Sequence, residues 1–179
     1  MRRGRNAARL ARRPEKRLRF ASLASVPPRT GLLLDTCVYI DGAADRLPDA
    51  VAELLVARLA SHSSVCIGEL AFGLGMLNPE DSRTKATSAV IGDILERIAG
   101  TGRIIEPDGE TWMIAGTLAG MAARLLGYGA DHRRRALADA LILLSARKAG
   151  LTVLTANITE FDLLQQLFPD AQVAFYRAT

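Results

Sequence analysis

Residues 31–41 read GLLLDTCVYID: three leucines in succession, then Asp35 set in the middle of an apolar run. A buried, unpaired charge is costly, so a carboxylate at this point needs a reason. Capping is one, because an Asp or Thr at a strand-to-helix junction accepts a bond from a free backbone N–H. The other is that Asp35 is one of several acids meeting at the edge of a sheet. Which holds depends on whether acids recur at equivalent places along the chain.

Outward from this stretch, short apolar runs alternate with helical patterns. Residues 31–34, 65–67, 103–105, 151–155 and 172–176 read as strands, and 49–60, 70–77, 81–99, 111–126, 134–149 and 163–168 as helices. The clearest helix carries Val90, Ile91, Ile94, Leu95 and Ile98 at a period near 3.6. Asn78-Pro79 breaks the chain before it. Strands that are continuously apolar and separated by helices imply a mainly parallel sheet covered on both faces, a three-layer α/β/α sandwich. In such sheets the site lies outside the carboxyl ends of the strands.

Composition bounds the rest. A chain of 179 residues with 49% hydrophobic content can bury a core as one domain without disulfides or structural metal. Cys37 and Cys66 form no C-x-x-C pair and read as reduced core residues of a cytoplasmic protein. Apolar runs such as 140–144 fall far short of the roughly 18 residues a membrane span needs, so no membrane association is expected. Charge is unevenly spread: residues 1–30 hold ten Lys or Arg and one acid, Glu15, for +9, while the remainder holds thirteen basic and eighteen acidic residues, for −5. Residues 1–30, ending in Pro27-Pro28, therefore read as a basic, disordered extension on a mildly acidic domain at 31–179. Phosphate binding, targeting and a start codon assigned too early compete as its explanation, and the reading preferred is a dispensable or misannotated extension, because residues 26–31 look like the doorstep of the fold.

Acids do recur at the strand ends. Asp35 follows the first strand, Glu69 lies in VCIGEL, Glu106 and Asp108 follow 103–105, and Asn157 with Glu160 follows LTVLT. Asp139, in RRRALADALILLSARKAG, shares a helix face with Ala136 and Leu143, beside the buried stripe. Carboxylates gathered closely repel and raise one another's pKa unless a cation compensates. An oxygen-only set favours Mg²⁺ or Mn²⁺ over zinc, and such ions serve phosphoryl displacement by activating water and clamping oxygens.

The series LLLDT, GEL, DALILLSAR, TANITEF resembles the PIN-domain nucleases, most closely the VapC-type toxins of type II toxin–antitoxin modules, over residues 31–179. Motif by motif, the resemblance implies catalytic roles for Asp35, Glu69, Asp139 and Asn157, and metal ligation by Asp35, Glu69, Asp139 and Glu160. It further implies Mg²⁺- or Mn²⁺-dependent RNA cleavage leaving 5′-phosphate and 3′-hydroxyl ends, a homodimer, and a cognate antitoxin that blocks the cleft. Asn157 replaces a carboxylate of many relatives and Glu160 stands where Asp is commoner, which weakens the second metal position.

Other features carry less. Thr36 reads as an N-cap or as a group orienting a ligand; Glu106 and Asp108, beside Pro107 and Gly109, as loop; His62 and His132 as surface loop; and Asp162 as a solvated helix start. Arg133 to Arg135 reads as a solvated face able to offset the cleft's repulsion of RNA, with Arg133 or Arg134 at the rim. Gly73 and Gly75 read as packing glycines, Trp112 with Ala115, Ala119 and Ala122 as core or interface. Two rival functions are an aspartyl-phosphate phosphatase, disfavoured because its second Asp is here Cys37, and a catalytically silent PIN-like binding module.

Overall fold

Leu32, Leu33 and Leu34 are all buried because they form the middle strand, β1 (Leu32–Leu34), of a five-stranded sheet. The computed structural model describes residues 10–179 apart from the side chain of Asp131. The helices are α1 (Thr36–Ala43), α2 (Asp49–Ala57), α3 (Ser64–Gly75), α4 (Thr84–Gly100), α5 (Gly109–Leu126), α6 (Ala130–Lys148) and α7 (Ile158–Leu167). The remaining strands are β2 (Ala60–Ser63), β3 (Ile104–Ile105), β4 (Thr152–Thr155) and β5 (Gln172–Phe175). Sheet order is β3-β2-β1-β4-β5 and every pairing is parallel, with Leu33 opposite Ser61 on one side and Val153 on the other.

Strand periodicity divides the core into two layers. Leu33, Val153 and Val173 pack against α5, α6 and α7 through Leu118, Leu143 and Phe161. Leu32, Leu34, Leu154 and Ala174 face the other way, onto Val38 of α1 and Val51 and Leu54 of α2. Helix α6 is buried without interruption from Asp139 to Ala146, since the sheet lies on one side of it and α5 on the other. Gly127, at φ 70°, supplies the left-handed residue that ends α5 and turns the chain into α6. Because the chain winds from β1 to β2 on one side and reaches β4 on the other, the strand order reverses between β1 and β4. A crevice opens there, at the carboxyl edge.

Three expectations are corrected. The apolar 65–67 run is helix, not strand; the second strand is the polar ASHS at 60–63. Ser63 accepts a hydrogen bond from the Val65 amide at 3.2 Å and so starts α3 at Ser64, which turns the apolar run onto a helix face. His62 is accordingly no loop residue: it is buried in β2 and its Nδ1 lies 2.8 Å from the Tyr39 hydroxyl. Gly73 and Gly75 have nothing within 4 Å of where a Cβ would stand, so they do not serve close packing.

The basic extension also differs from expectation over its described part. Residues 1–9 lie outside the described residues, but from Leu10 onward the segment runs along the domain. Phe20 bridges to Phe175, with Ala21 donating to the Phe175 carbonyl at 2.7 Å, so the free edge of β5 is covered. Val26 is fully buried. Asp162, expected to be solvated, is fully buried and accepts from the Arg13 backbone N–H at 2.7 Å and from Arg13 Nε at 2.5 Å. Arg13→Ala leaves that carboxylate without its cation and lowers stability by about 2 kcal/mol, a fall in Tm of roughly 4–8 °C. Thermal denaturation of the full chain and the variant checks this, and equal midpoints would mean the segment does not hold the domain.

Candidate active site

Asp35 occupies the position between β1 and α1, where its carboxylate answers both questions the sequence raises. It caps α1, Oδ1 accepting from the Thr36 amide at 2.7 Å. Its Oδ2 accepts from the Thr155 hydroxyl at 2.6 Å and from the Cys37 thiol at 3.1 Å, so β4 and α1 both hold it in place. Thr155 in turn accepts from the Asn157 amide N–H at 2.8 Å, tying the chain that leaves β4 to the same carboxylate. Despite these donors, burial pushes the Asp35 carboxyl above its ordinary range.

Glu69 lies in the second turn of α3, not at the end of a strand, and reaches the site from the helix side. Its Oε2 accepts from the Thr36 hydroxyl, and burial with the neighbouring Asp35 charge raises its pKa. Oxygens of Asp35 and Glu69 and the sulfur of Cys66 all lie within 4.8 Å of one another. Burial holds the Cys66 thiol well above its usual pKa, so it stays protonated and donates to the Leu34 carbonyl at 3.4 Å. The donor atoms left for a cation are oxygens, which suits a hard divalent ion.

Asp139 comes from the middle of α6, where it is only 7% exposed. Burial, then the charges of Asp35, Glu69 and Glu160, hold its carboxyl well above the ordinary value, with Arg135 opposing them. Its partner is the Asn157 side-chain amide, which donates to Oδ2 at 3.4 Å. Asp35, Glu69, Asp139, Asn157 and Glu160 all line one cleft of about 540 Å³. Thus every residue singled out for the site from the sequence meets the others there, although they span 126 positions from Asp35 to Glu160 counted inclusively.

Several cleft residues carried little or no signal in the sequence. Thr155 fixes Asp35, Tyr128 and Ile40 form walls, and Cys37, packed against the core formed by Leu34, Val38 and Leu154, also reaches the cleft half-buried. Burial beside Asp35 pushes the Cys37 thiol up to about 12. Arg135, not Arg133, reaches the cleft; Arg133 Nε is spent on the Tyr128 carbonyl at 3.0 Å. His132 lines the rim against Tyr128. Asp108 is absorbed structurally, capping α5 through the Thr111 amide and pairing with Lys148 at 2.6 Å.

No family model matches the chain, and no curated protein sequence matches it either. Solved structures do. The chain resembles one in the crystal structure of FitAcB from Neisseria gonorrhoeae, with TM-score 0.56 and 23% identity over 80% of this chain and 96% of that one. It also resembles chains of DNA-bound VapBC from Salmonella typhimurium (TM-score 0.52, 20% identity, 82% and 98% covered) and VapBC2 from Rickettsia felis bound to promoter DNA (0.51, 21%, 81% and 98%). At these identities the likeness is one of fold. Among the described residues, an all-parallel five-stranded sheet flanked by seven α-helices agrees with the PIN fold expected from the sequence.

Proposed function

We propose that the chain is a Mg²⁺- or Mn²⁺-dependent endoribonuclease and the toxin of a type II toxin–antitoxin pair. One observation carries the reading: Asp35, Glu69, Asp139 and Glu160, drawn from four separate elements, face one cleft, where burial opposes ionisation of Asp35, Glu69 and Asp139 and neighbouring acidic charges add to it at Glu69 and Asp139. A fold gains nothing from such a cluster unless a cation compensates it. Asp35, Glu69 and Asp139 are the residues that would hold the ion, with Glu160 beside them. When bound, Mg²⁺ or Mn²⁺ supplies Lewis acidity to a scissile phosphate and lowers the pKa of an attacking water.

The chain's own groups do the positioning. Thr155 and the Thr36 amide fix the two Asp35 oxygens, while the Thr36 hydroxyl aims Glu69. The Asn157 amide presents its positive end to Asp139, which keeps that carboxylate oriented without adding a fourth acid at this position. Arg135 offsets the negative field at the mouth, so a phosphodiester can approach. The fold resembles chains from VapBC and FitAcB complexes, which supports a protein antitoxin as partner. A homodimer fits the exposed apolar face of α5, where Trp112 is 49% and Met113 69% exposed.

The test is direct. Purified full chain cleaves single-stranded RNA when Mg²⁺ or Mn²⁺ is added, leaving 5′-phosphate and 3′-hydroxyl ends, and stops when a chelator is added. A second reading, a PIN-fold binding module without catalysis, draws on Asn157 standing at the fourth acid position. RNA left intact with either ion, together with no shift in thermal stability on adding them, selects that module instead.

A further inference from the structure

Glu69 and Arg135 each face two cavities. Besides the acidic cleft, they line a second cavity of about 550 Å³ between α3 and α6, shared with Phe72, Gly68 and Arg134. Phe72 is one turn beyond Glu69 on α3 and is 65% exposed, an aromatic face left in water at the edge of the site. A helical side chain leans toward the helix N-terminus, which carries the ring over the turn holding Gly68. A Cβ at Gly68 would meet nothing within 4 Å, so the space beside the ring stays open to a flat group.

We propose that this second cavity is a subsite for a nucleotide flanking the scissile phosphate of single-stranded RNA. The base stacks on Phe72, and Arg134 and Arg135 pair with the phosphates on either side of it. The inference rests on the nuclease reading and adds the substrate's register to it. Aromatic stacking accepts any base, so the subsite contributes affinity and placement without reading sequence. It requires unstacked bases, which excludes a duplex. A second copy of the chain is the competing occupant, since Met76, the residue that ends α3 one turn beyond Phe72, is 70% exposed. A two-fold interface there would turn Arg134 and Arg135 toward their own counterparts, whereas a nucleic-acid strand offers the ring a base and the two guanidinium groups phosphates.

Fluorescence anisotropy of labelled oligoadenylate on the full chain, with chelator present so that no cleavage occurs, tests the subsite. Phe72→Ala weakens binding about tenfold and Phe72→Trp restores it, while binding of a double-stranded RNA of the same length is unchanged. The double variant Arg134→Gln, Arg135→Gln lowers the slope of log affinity against log salt by about 1.4, the value for two lost contacts to a single strand. Sedimentation of Phe72→Ala matches the parent chain. Unaltered oligoadenylate affinity in Phe72→Ala overturns the subsite while leaving RNA cleavage by the parent chain, and so the nuclease reading, intact. A changed sedimentation coefficient assigns the face to a second copy and also overturns it. A parent chain that neither binds nor cuts RNA removes both readings together.

Discussion

Asp35→Asn, in the otherwise unchanged full chain, lowers RNA cleavage by more than about 100-fold and abolishes growth arrest when the gene is expressed in bacteria without an antitoxin. The expectation follows from what the substitution keeps and what it removes. An Asn side-chain oxygen still accepts from the Thr36 amide or from Thr155, so the cap on α1 and the fold persist. What disappears is the negative charge at the one position where β1, α1 and β4 converge. The companion variant Thr155→Val separates position from charge. It deletes the 2.6 Å hydrogen bond that orients Asp35, and it leaves the carboxylate in place. Groups that orient a ligand in this way are worth about 10–100-fold in metal affinity or activity, so Thr155→Val falls between the parent and Asp35→Asn. Initial cleavage rates at several Mn²⁺ concentrations give the comparison: the Thr155→Val deficit shrinks as Mn²⁺ rises, and the Asp35→Asn deficit does not. Full toxicity of Asp35→Asn would end the nuclease reading.

The contrast between these two residues also marks how far the sequence can be read. Asp35 is legible because a carboxylate inside an apolar run conflicts with burial, and the conflict is visible locally. Asp139 is legible for the same reason, sitting three residues after Ala136 on a buried face. Thr155 has no such conflict. A threonine ending a strand is ordinary, and its role arises only because β4 pairs with β1, a contact between residues about 120 positions apart. The second strand eluded the apolar reading for a related reason: Ser61, His62 and Ser63 are buried by neighbours on both sides, and nothing in ASHS itself announces them. Likewise the Arg-rich composition of residues 10–30 suggests an unpaired arm, because Asp162, its partner, lies 149 residues from Arg13. Local patterns located the acids and the cap on Asp35; the pairing of β4 with β1 supplied the Thr155 bond that fixes its other oxygen.

The same electrostatic conflict makes the metal-free protein sensitive to pH. Asp35, Glu69 and Asp139 all have carboxyls raised in the folded state by burial, and the charges of neighbouring acids raise Glu69 and Asp139 further. Below the ordinary carboxylate range both folded and unfolded chains are protonated, and the cluster costs nothing. As pH climbs, the unfolded chain ionises first, so the stability contributed by these groups is lost progressively until the raised folded values are passed. A divalent ion binds only the ionised acids, and its stabilisation therefore grows over the same interval. At a concentration of about 100 times its Kd, Mn²⁺ adds about 2.7 kcal/mol, a rise in Tm of roughly 5–10 °C near neutral pH. Near pH 4 the shift vanishes. Asp139→Asn separates this cluster from every other carboxylate in the chain: it raises the metal-free midpoint near neutral pH, because a repelled charge is gone, and it reduces the shift produced by Mn²⁺. Melting curves of both proteins at the two pH values, with and without the ion, decide the matter. A variant that melts lower without metal, or an Mn²⁺ shift of equal size at both pH values, would show that the acids are not held apart from their preferred ionisation by one another.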